Sequence, residues 1–572
     1  MDPFSIASLT ISVLDQLWRL GETTAELVAN YRDFDEASPV QTVRQQRPAN
    51  IRQDSRVLES KVKDENNRTR ALNMLLFEPS TTYGGKSLFE QFDADVQDQI
   101  HILLEEAVLV LDQAYQLLYR RQQAAADSKI VKVPEQPSSS TPSNKIFSSF
   151  RFMLKPPGPS SSTSLTSNDE SSKYLRPLQR LRWSLLDKKR LESIIREFGE
   201  LNSRVHESIK LLCLGTSIGV DLQHLQRLEN DRNSQILGFN IDAKLQMAAS
   251  QVQEMPESLE IRDVNLRQQL ENVKRVEDRF GILEWEGKPM LVEYRAYQEG
   301  SPVSVEMSSR TRHLVDNLAN LLHQPKEIVF RTPCCTGWVS QTQHNRVAFM
   351  FAIPDAVEPA PVSLLGLLSS EDPPPTLGQK FWLAAKLSRC ISQLQLVKWV
   401  HESFRSENIV FFPKHEKSTT LVPRIDLAEP WVLGFEFSRP EQYFSAGLED
   451  KCLARDVYRH PDRQQSPTQP FIKLHDIYAL GVVLLEIGLW QPALTLEKSG
   501  FARVKPNAIT KVLIRHAEKR LGAKMGEKYQ AVVLTCLRSE FQCYNDTKED
   551  IKLQQAFRAQ VVDVLEKIAL CM

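Results

Sequence analysis

The chain has 572 residues, of which 41% are apolar and 25% charged, with 71 basic side chains against 72 acidic ones. Hydrophobic cores stop growing near about 250 to 300 residues, so this length excludes a single domain, and the composition is that of an ordinary soluble protein. The balanced charge leaves no global field to draw in nucleic acid or a membrane surface.

Residues 1 to about 122 are helical in pattern, with Asp2 as the expected N-cap and Pro3 at the first helical position. Ile6, Leu9, Val13, Leu17 and Leu20 recur at three- and four-residue spacing and predict one apolar stripe. Leu103, Leu104, Ala107, Val108, Leu111, Ala114, Tyr115 and Leu118 predict a second, in a later helix. Such stripes have to bury against each other, which makes a helix bundle the economical fold. The first 20 residues lack a basic leader and carry polar residues throughout, so no signal peptide is expected.

From about Gln123 to Lys173 the serines and the Pro156-Pro157-Gly158-Pro159 cluster cannot supply a core, and a disordered insertion is expected. Periodicity returns at Leu178, and Leu191, Ile194, Ile195, Phe198, Leu201 and Val205 predict another apolar face in a helix running to about Leu214. The run from Leu181 to Glu192 resembles the late helices of fungal HeLo domains, and Met1 to Ala7 is similar to their opening. The resemblance covers about the first 220 residues and departs through the Ser/Pro insertion. It implies a helical bundle of the cell-death and incompatibility type, which perturbs membranes through its N-terminal helix. Core packing alone explains the stripes equally well, so a non-toxic helical scaffold stays open.

Residues 221–277 are polar with scattered leucines and read as a connecting helical brace. After Phe280 the pattern turns to strands: Gly281–Trp285 and Met290–Arg295, separated by a Glu286-Gly287-Lys288-Pro289 turn, predict a hairpin. A helix at Thr311–Leu322 and further strand-like runs, the last at Val347–Pro354, follow.

Downstream, a long apolar helix at Phe381–Val397 leads into Trp399–Val410, which resembles the H-R-D-x-x-x-x-N catalytic loop of protein kinases, with His401 and Asn408 at the matching spacing. Trp431–Arg439 occupies the place of the D-F-G segment. Tyr458-Arg459-His460-Pro461-Asp462 resembles the end of an activation segment, and Asp476–Glu486 resembles the central large-lobe helix. The apolar run Ile477–Trp490 is too short to span a membrane, which takes about 20 apolar residues, and is expected as a buried helix. Two more helical stretches, around Ala517–Gly522 and Leu553–Ile568, complete the chain.

The same resemblance shows what is missing. Phosphoryl transfer needs an aspartate to take the hydroxyl proton, where this chain has Ser403, and a second aspartate to hold magnesium, where it has Gly434. Arg295 stands in for the phosphate-gripping lysine, and no G-x-G-x-x-G loop precedes it. No catalytic residue is therefore expected. Arg295, Asn408 and Glu436 remain as nucleotide contacts, with Glu436 or Glu407 as substitute metal ligands, while His401, Phe435, Arg459, Pro461, Asp476 and Gly481 are expected as fold scaffold.

The expected architecture is multidomain: an all-α N-terminal helix bundle over 1–220, with its insertion at 123–173; the brace at 221–277; and an α+β, two-lobed protein-kinase-like fold over 278–572. The small lobe is expected at about 278–355 and the large lobe at about 375–572. The layout resembles that of the mixed-lineage-kinase-domain-like necroptosis effector. It implies a signalling pseudokinase linked to a cell-death bundle, with an atypical active Ser/Thr kinase and a plain scaffold as alternatives. No resident cofactor or metal is expected, ATP with magnesium belonging to the alternative. Expected partners are a protein or upstream sensor, membrane lipids reached by residues 1–20 on activation, and a second copy of the chain; nucleic acid is not among them. Eight scattered cysteines with no C-x-x-C pair fit neither a disulfide scaffold nor a zinc site and predict reduced core thiols in the cytoplasm; membrane association on activation is what the HeLo resemblance implies.

Overall fold

The computed structural model describes residues 3–36, 50–127, 172–250, 258–273, 275–276, 279–297, 307–414, 425–435, 452–464, 470–497, 501, 504, 506–541, 543 and 546–572. The chain divides into two units, one of Met1–Glu78 with Ser87–Glu207 and one of Pro79–Lys86 with Ser208–Met572. The first is all-helical; the second combines helices with antiparallel sheet, so the protein is multidomain.

In the first unit α1 (Pro3–Glu36) packs against α2 (Asn50–Phe77) and α3 (Ala94–Asp127), and α4 (Ser172–Gly215) contributes its residues up to Glu207. α1 starts at Pro3, while Asp2 lies outside the described residues. The expected α1 stripe is corrected: Ile6 and Leu17 are buried, but Leu9 is 47% exposed and Val13 and Leu20 are half-buried. The buried face runs instead through Ile6, Thr10, Leu14, Leu17, Gly21 and Val28. Thr10 can be buried because its hydroxyl donates to the Ile6 carbonyl at 2.8 Å and meets His101 Nδ1 at 3.2 Å. Gly21 is on that face because a Cβ there would run into the Asn66 side chain of α2.

α3 buries Leu104, Ala107, Val108, Leu111, Ala114 and Leu118, with Leu103 and Tyr115 half-buried, and in α4 Leu191, Ile194, Ile195, Phe198 and Val205 are buried. Helix extends through 123–127 and resumes at 172–173, at the edges of the expected insertion, of which residues 128–171 lie outside the described residues.

After Pro79–Lys86, the second unit takes in the end of α4, then α5 (Leu222–Asn230), α6 (Arg232–Leu237), α7 (Phe239–Ser250) and α8 (Val264–Asn272). A five-stranded antiparallel sheet follows, from β1 (Arg275–Val276), β2 (Phe280–Trp285), β3 (Lys288–Ala296), β4 (Cys335–Gln341) and β5 (Arg346–Ala352), in the order β1-β2-β3-β5-β4. The β2–β3 hairpin closes on two residues, Glu286 and Gly287, both at positive φ, with Trp285 opposite Lys288. Turns of that hand match strand twist, so Lys288 and Pro289, expected in the turn, already belong to the strand. α9 (Ser309–His323) lies between β3 and β4 in the chain and is fastened to the sheet by Trp338, whose Nε1 donates to Asp316 Oδ1 at 2.8 Å.

Beyond the sheet come a small antiparallel sheet of β6 (Val362–Ser363), β7 (Ile409–Phe411) and β8 (Trp431–Val432), and the helices α10 (Leu364–Ser369), α11 (Leu377–Leu396), α12 (Leu453–Asp456), α13 (Lys473–Leu489), α14 (Pro506–Met525), α15 (Glu527–Arg538), α16 (Ile551–Phe557) and α17 (Asp563–Leu570). Thr376 starts α11 with a capping box closed by Gln379. α13 is buried on every face, as an apolar run without a polar stripe has to be. Leu245 and Ala249 of α7 join the same core cluster as α9, α11 and α13. α7 is pinned there by Asp242, which pairs with Lys210 and accepts from Gln393 Nε2 at 2.9 Å.

Among the described residues no helix is long and apolar enough to cross a membrane. The expectation of core thiols is corrected in part: Cys213, Cys335, Cys390 and Cys536 are buried, whereas Cys334, Cys452 and Cys571 are exposed.

Candidate functional site

The second unit gathers most of the singled-out residues where the loop after α11 meets β7, β8 and the start of α13. Asp476, in the first turn of α13, holds the loop backbone: its carboxylate accepts from the amides of His401 at 2.6 Å and Glu402 at 3.1 Å. Glu402 sits at a φ of 62°, a strained conformation for a non-glycine residue that these two bonds hold in place. Burial pushes the Asp476 carboxyl up to about 7, against the lowering effect of both amides.

The His401 ring is fully buried and neutral, its pKa lowered to about 3 chiefly by loss of solvent. Its Nε2 donates to the Leu433 carbonyl at 2.9 Å and its Nδ1 accepts from Ser403 N at 3.2 Å, which fixes the tautomer. The ring lies 4.3 Å from Phe435, which stacks on Trp399 at 4.6 Å. Every polar atom of His401 is thus committed to structure, and the ring is no proton shuttle.

Asn408 stands at the centre. Its Nδ2 donates to the Ser403 carbonyl at 2.6 Å, and Leu433 N donates to its carbonyl at 2.9 Å. Gly434 packs directly on it: φ is 74°, and a Cβ at Gly434 would collide with the Asn408 side chain. Gly434 N points instead at Glu293 Oε2, 3.4 Å away.

Strand alternation puts Leu291, Glu293 and Arg295 on one face of β3. Glu293 and Arg295 are both buried and approach each other at 3.7 Å. Arg279 completes the assembly: it donates to Asn408 Oδ1, to Glu407 Oε1 at 2.8 Å, and reaches Glu293 Oε1 at 3.5 Å. Arg405 also pairs with Glu407. Three guanidiniums and two carboxylates therefore satisfy one another, which is how buried charges persist. Glu407, considered above as a substitute metal ligand, is bound between two arginines, and Glu436 lies outside the described residues.

The remaining scaffold candidates sit apart in the same unit. Arg459 pairs with Asp456 at 3.0 Å, Pro461 opens a one-turn 3₁₀ helix, and Gly481 of α13 lets α15 approach, a Cβ there meeting Cys536 at 2.7 Å. A bond chain ties this region to the loop after α11: Ser406 Oγ lies 2.8 Å from Tyr458 OH, which donates to Glu486 Oε1 at 2.6 Å. Sequence reasoning missed Arg279 and Glu293. Period-two alternation with Arg295 flags Glu293, whereas nothing local marks Arg279.

Residues 316–569, from within α9 to within α17, match the family model of a domain of unknown function, DUF7580, which covers less than half of the chain. No match to the chain is found among curated proteins.

Proposed function

We propose that residues from about 278 onward form a degenerate protein-kinase-like domain that does not transfer phosphate, and that it serves as a regulatory partner for a HeLo-like helical bundle. The five-stranded antiparallel sheet with a helix between its third and fourth strands, followed by a mainly helical region, supports the two-lobed reading. The gathering of His401, Asn408, Phe435 and Asp476 supports the assignment of the catalytic-loop-like segment.

The observation that carries the non-catalytic reading is at Gly434. The position that would present a magnesium ligand has no side chain, and its neighbourhood is filled by Asn408 and the Arg279–Glu293–Glu407 ion pairs. Ser403, where a base is needed, has a hydroxyl that takes no proton at neutral pH. Phosphoryl transfer depends on positioning and charge neutralisation, so losing base and metal ligand together removes most of the rate enhancement. A domain of this kind acts by shape, shifting between states that a partner binds unequally.

Incubating the full chain with magnesium and γ-labelled ATP, alone and with a generic basic protein substrate, tests the reading. No incorporation above a heat-denatured control is expected. Incorporation that Asn408→Ala abolishes would establish the active-kinase alternative. Dye leakage from anionic vesicles on adding the chain supports the effector role of the bundle, and its absence under every activating condition favours the scaffold.

A further inference from the structure

Among the described residues, three metal-type ligands converge in one place, away from the site above: His460, Asp462 and His475, with one ligand atom from each within 4.8 Å of the others. The fold brings them together from two directions. His460 caps the short turn Pro461–Arg463, its Nδ1 accepting from Asp462 N at 3.3 Å and lying 3.4 Å from Asp462 Oδ2. His475 is the third residue of α13, its ring centroid 5.2 Å from that of His460, with Phe471 and Tyr478 against the two rings.

A second observation points to a ligand. His475 is 2% exposed, and its Nε2 is buried with no hydrogen-bond partner. Nδ1 is accounted for, since it accepts from Ile472 N at 3.1 Å and caps the helix. A buried ring nitrogen without a partner is a destabilising feature that needs a cause. Asp462 is exposed, which gives the cluster access to solvent.

We propose that His460, Asp462 and His475 form a site for a borderline divalent cation, zinc foremost, joining the Pro461 turn to the start of α13. Two imidazoles and a carboxylate are a ligand set of zinc, with water in the fourth position. Zinc at about 2.0–2.2 Å from each ligand draws the donors closer than they now stand. Asp462 is the member free to move, being exposed on a single turn. Ligation through His475 Nε2 places that ring's proton on Nδ1, so the Ile472 bond is released as the metal binds; the imidazole stays neutral, and no proton is gained or lost at this ring. His460 Nδ1 likewise gives up the bond from Asp462 N, since a neutral ring that ligates through either nitrogen leaves no free lone pair, so the site exchanges two cap bonds for three metal bonds.

The test uses the full chain, stripped with chelator and titrated with cobalt(II) as a spectroscopic probe and with zinc in competition against a chromophoric chelator. One ion per chain is expected, with a visible cobalt spectrum lacking thiolate charge-transfer bands. Zinc should raise the thermal midpoint of the wild type, and Asp462→Asn and His460→Ala should each weaken binding by about ten-fold or more. Asp462→Asn keeps the test independent of folding, because the side chain is exposed. Equal zinc affinity in wild type and Asp462→Asn, a thiolate spectrum, or the absence of stoichiometric binding would overturn the proposal.

Discussion

Gly434 and Asp476 show how single residues set the character of the site. Introducing a carboxylate by Gly434→Asp places a Cβ against Asn408 and a non-glycine residue at a φ of 74°. Left-handed strain and overpacking each cost about 1–3 kcal/mol. The variant is expected to lose about 2–4 kcal/mol in chemical denaturation and to gain no phosphate transfer; wild-type stability would show that Asn408 yields easily.

Asp476→Asn removes a carboxylate that accepts from two backbone amides and is expected to cost about 2 kcal/mol. Its pH dependence has a definite sign. The folded pKa, about 7, lies above the ordinary value of 3.8, so the folded state keeps a proton that the unfolded chain releases. The stability tied to that proton is whole below pH about 3.8 and is lost as pH rises through 7. The gap between wild type and Asp476→Asn should therefore narrow from pH 5 to pH 8, and a widening gap would contradict the assignment. His401 and Asn408 were singled out by a spacing that resembles the catalytic loop of kinases and Asp476 by the resemblance of Asp476–Glu486 to a large-lobe helix, and a hydrogen bond links Asp476 to the His401 backbone. Arg279 was not singled out, because an arginine that closes an ion-pair network across three segments has no local signature.

Elements were legible where apolar spacing alone decides burial. From Leu104 to Leu118 α3 carries its buried face on Leu, Ala and Val alone, so that stripe reads directly from the sequence. α1 does not, because Thr10 and Gly21 share its buried face and Leu9 is left outside. Hydrophobicity cannot foresee a threonine whose hydroxyl is satisfied by its own helix. The contrast is measurable: Leu104→Ala should destabilise the first unit by about 2–5 kcal/mol, while Leu109→Ala, at a side chain 66% exposed, should stay within about 0.5 kcal/mol. Circular dichroism melts of the two variants check it, and equal losses would refute the burial assignment. The brace over 221–277 was expected to be helical, but the burial of α7 within it was hidden for a different reason. The buried face of α7 includes Asp242, whose Oδ2 meets Lys210 and Gln393, and Gln246, whose Nε2 donates to the carbonyls of Leu214 and Gly219, so it reads as a solvated stretch.

At the scale of the molecule, the order of elements was open to the sequence, but the division into units was not. Pro79–Lys86 lies between α2 and α3 in the chain yet belongs to the second unit, where Tyr83 OH sits 2.5 Å from His224 Nδ1 and the Arg227 guanidinium lies over the Tyr83 ring. No periodicity announces such a loop, because its partners are some 140 residues away.

The account rests on the charged centre of the second unit being closed upon itself, with Arg279 and Arg295 engaged by Glu293 and Glu407, the two carboxylates among the described residues there. A thermal-shift titration of the full chain with ATP, with and without magnesium, tests this most directly. No rise in midpoint at millimolar ATP, and no difference on adding magnesium, is the predicted result. A saturable, magnesium-dependent rise that Asn408→Ala removes would contradict it.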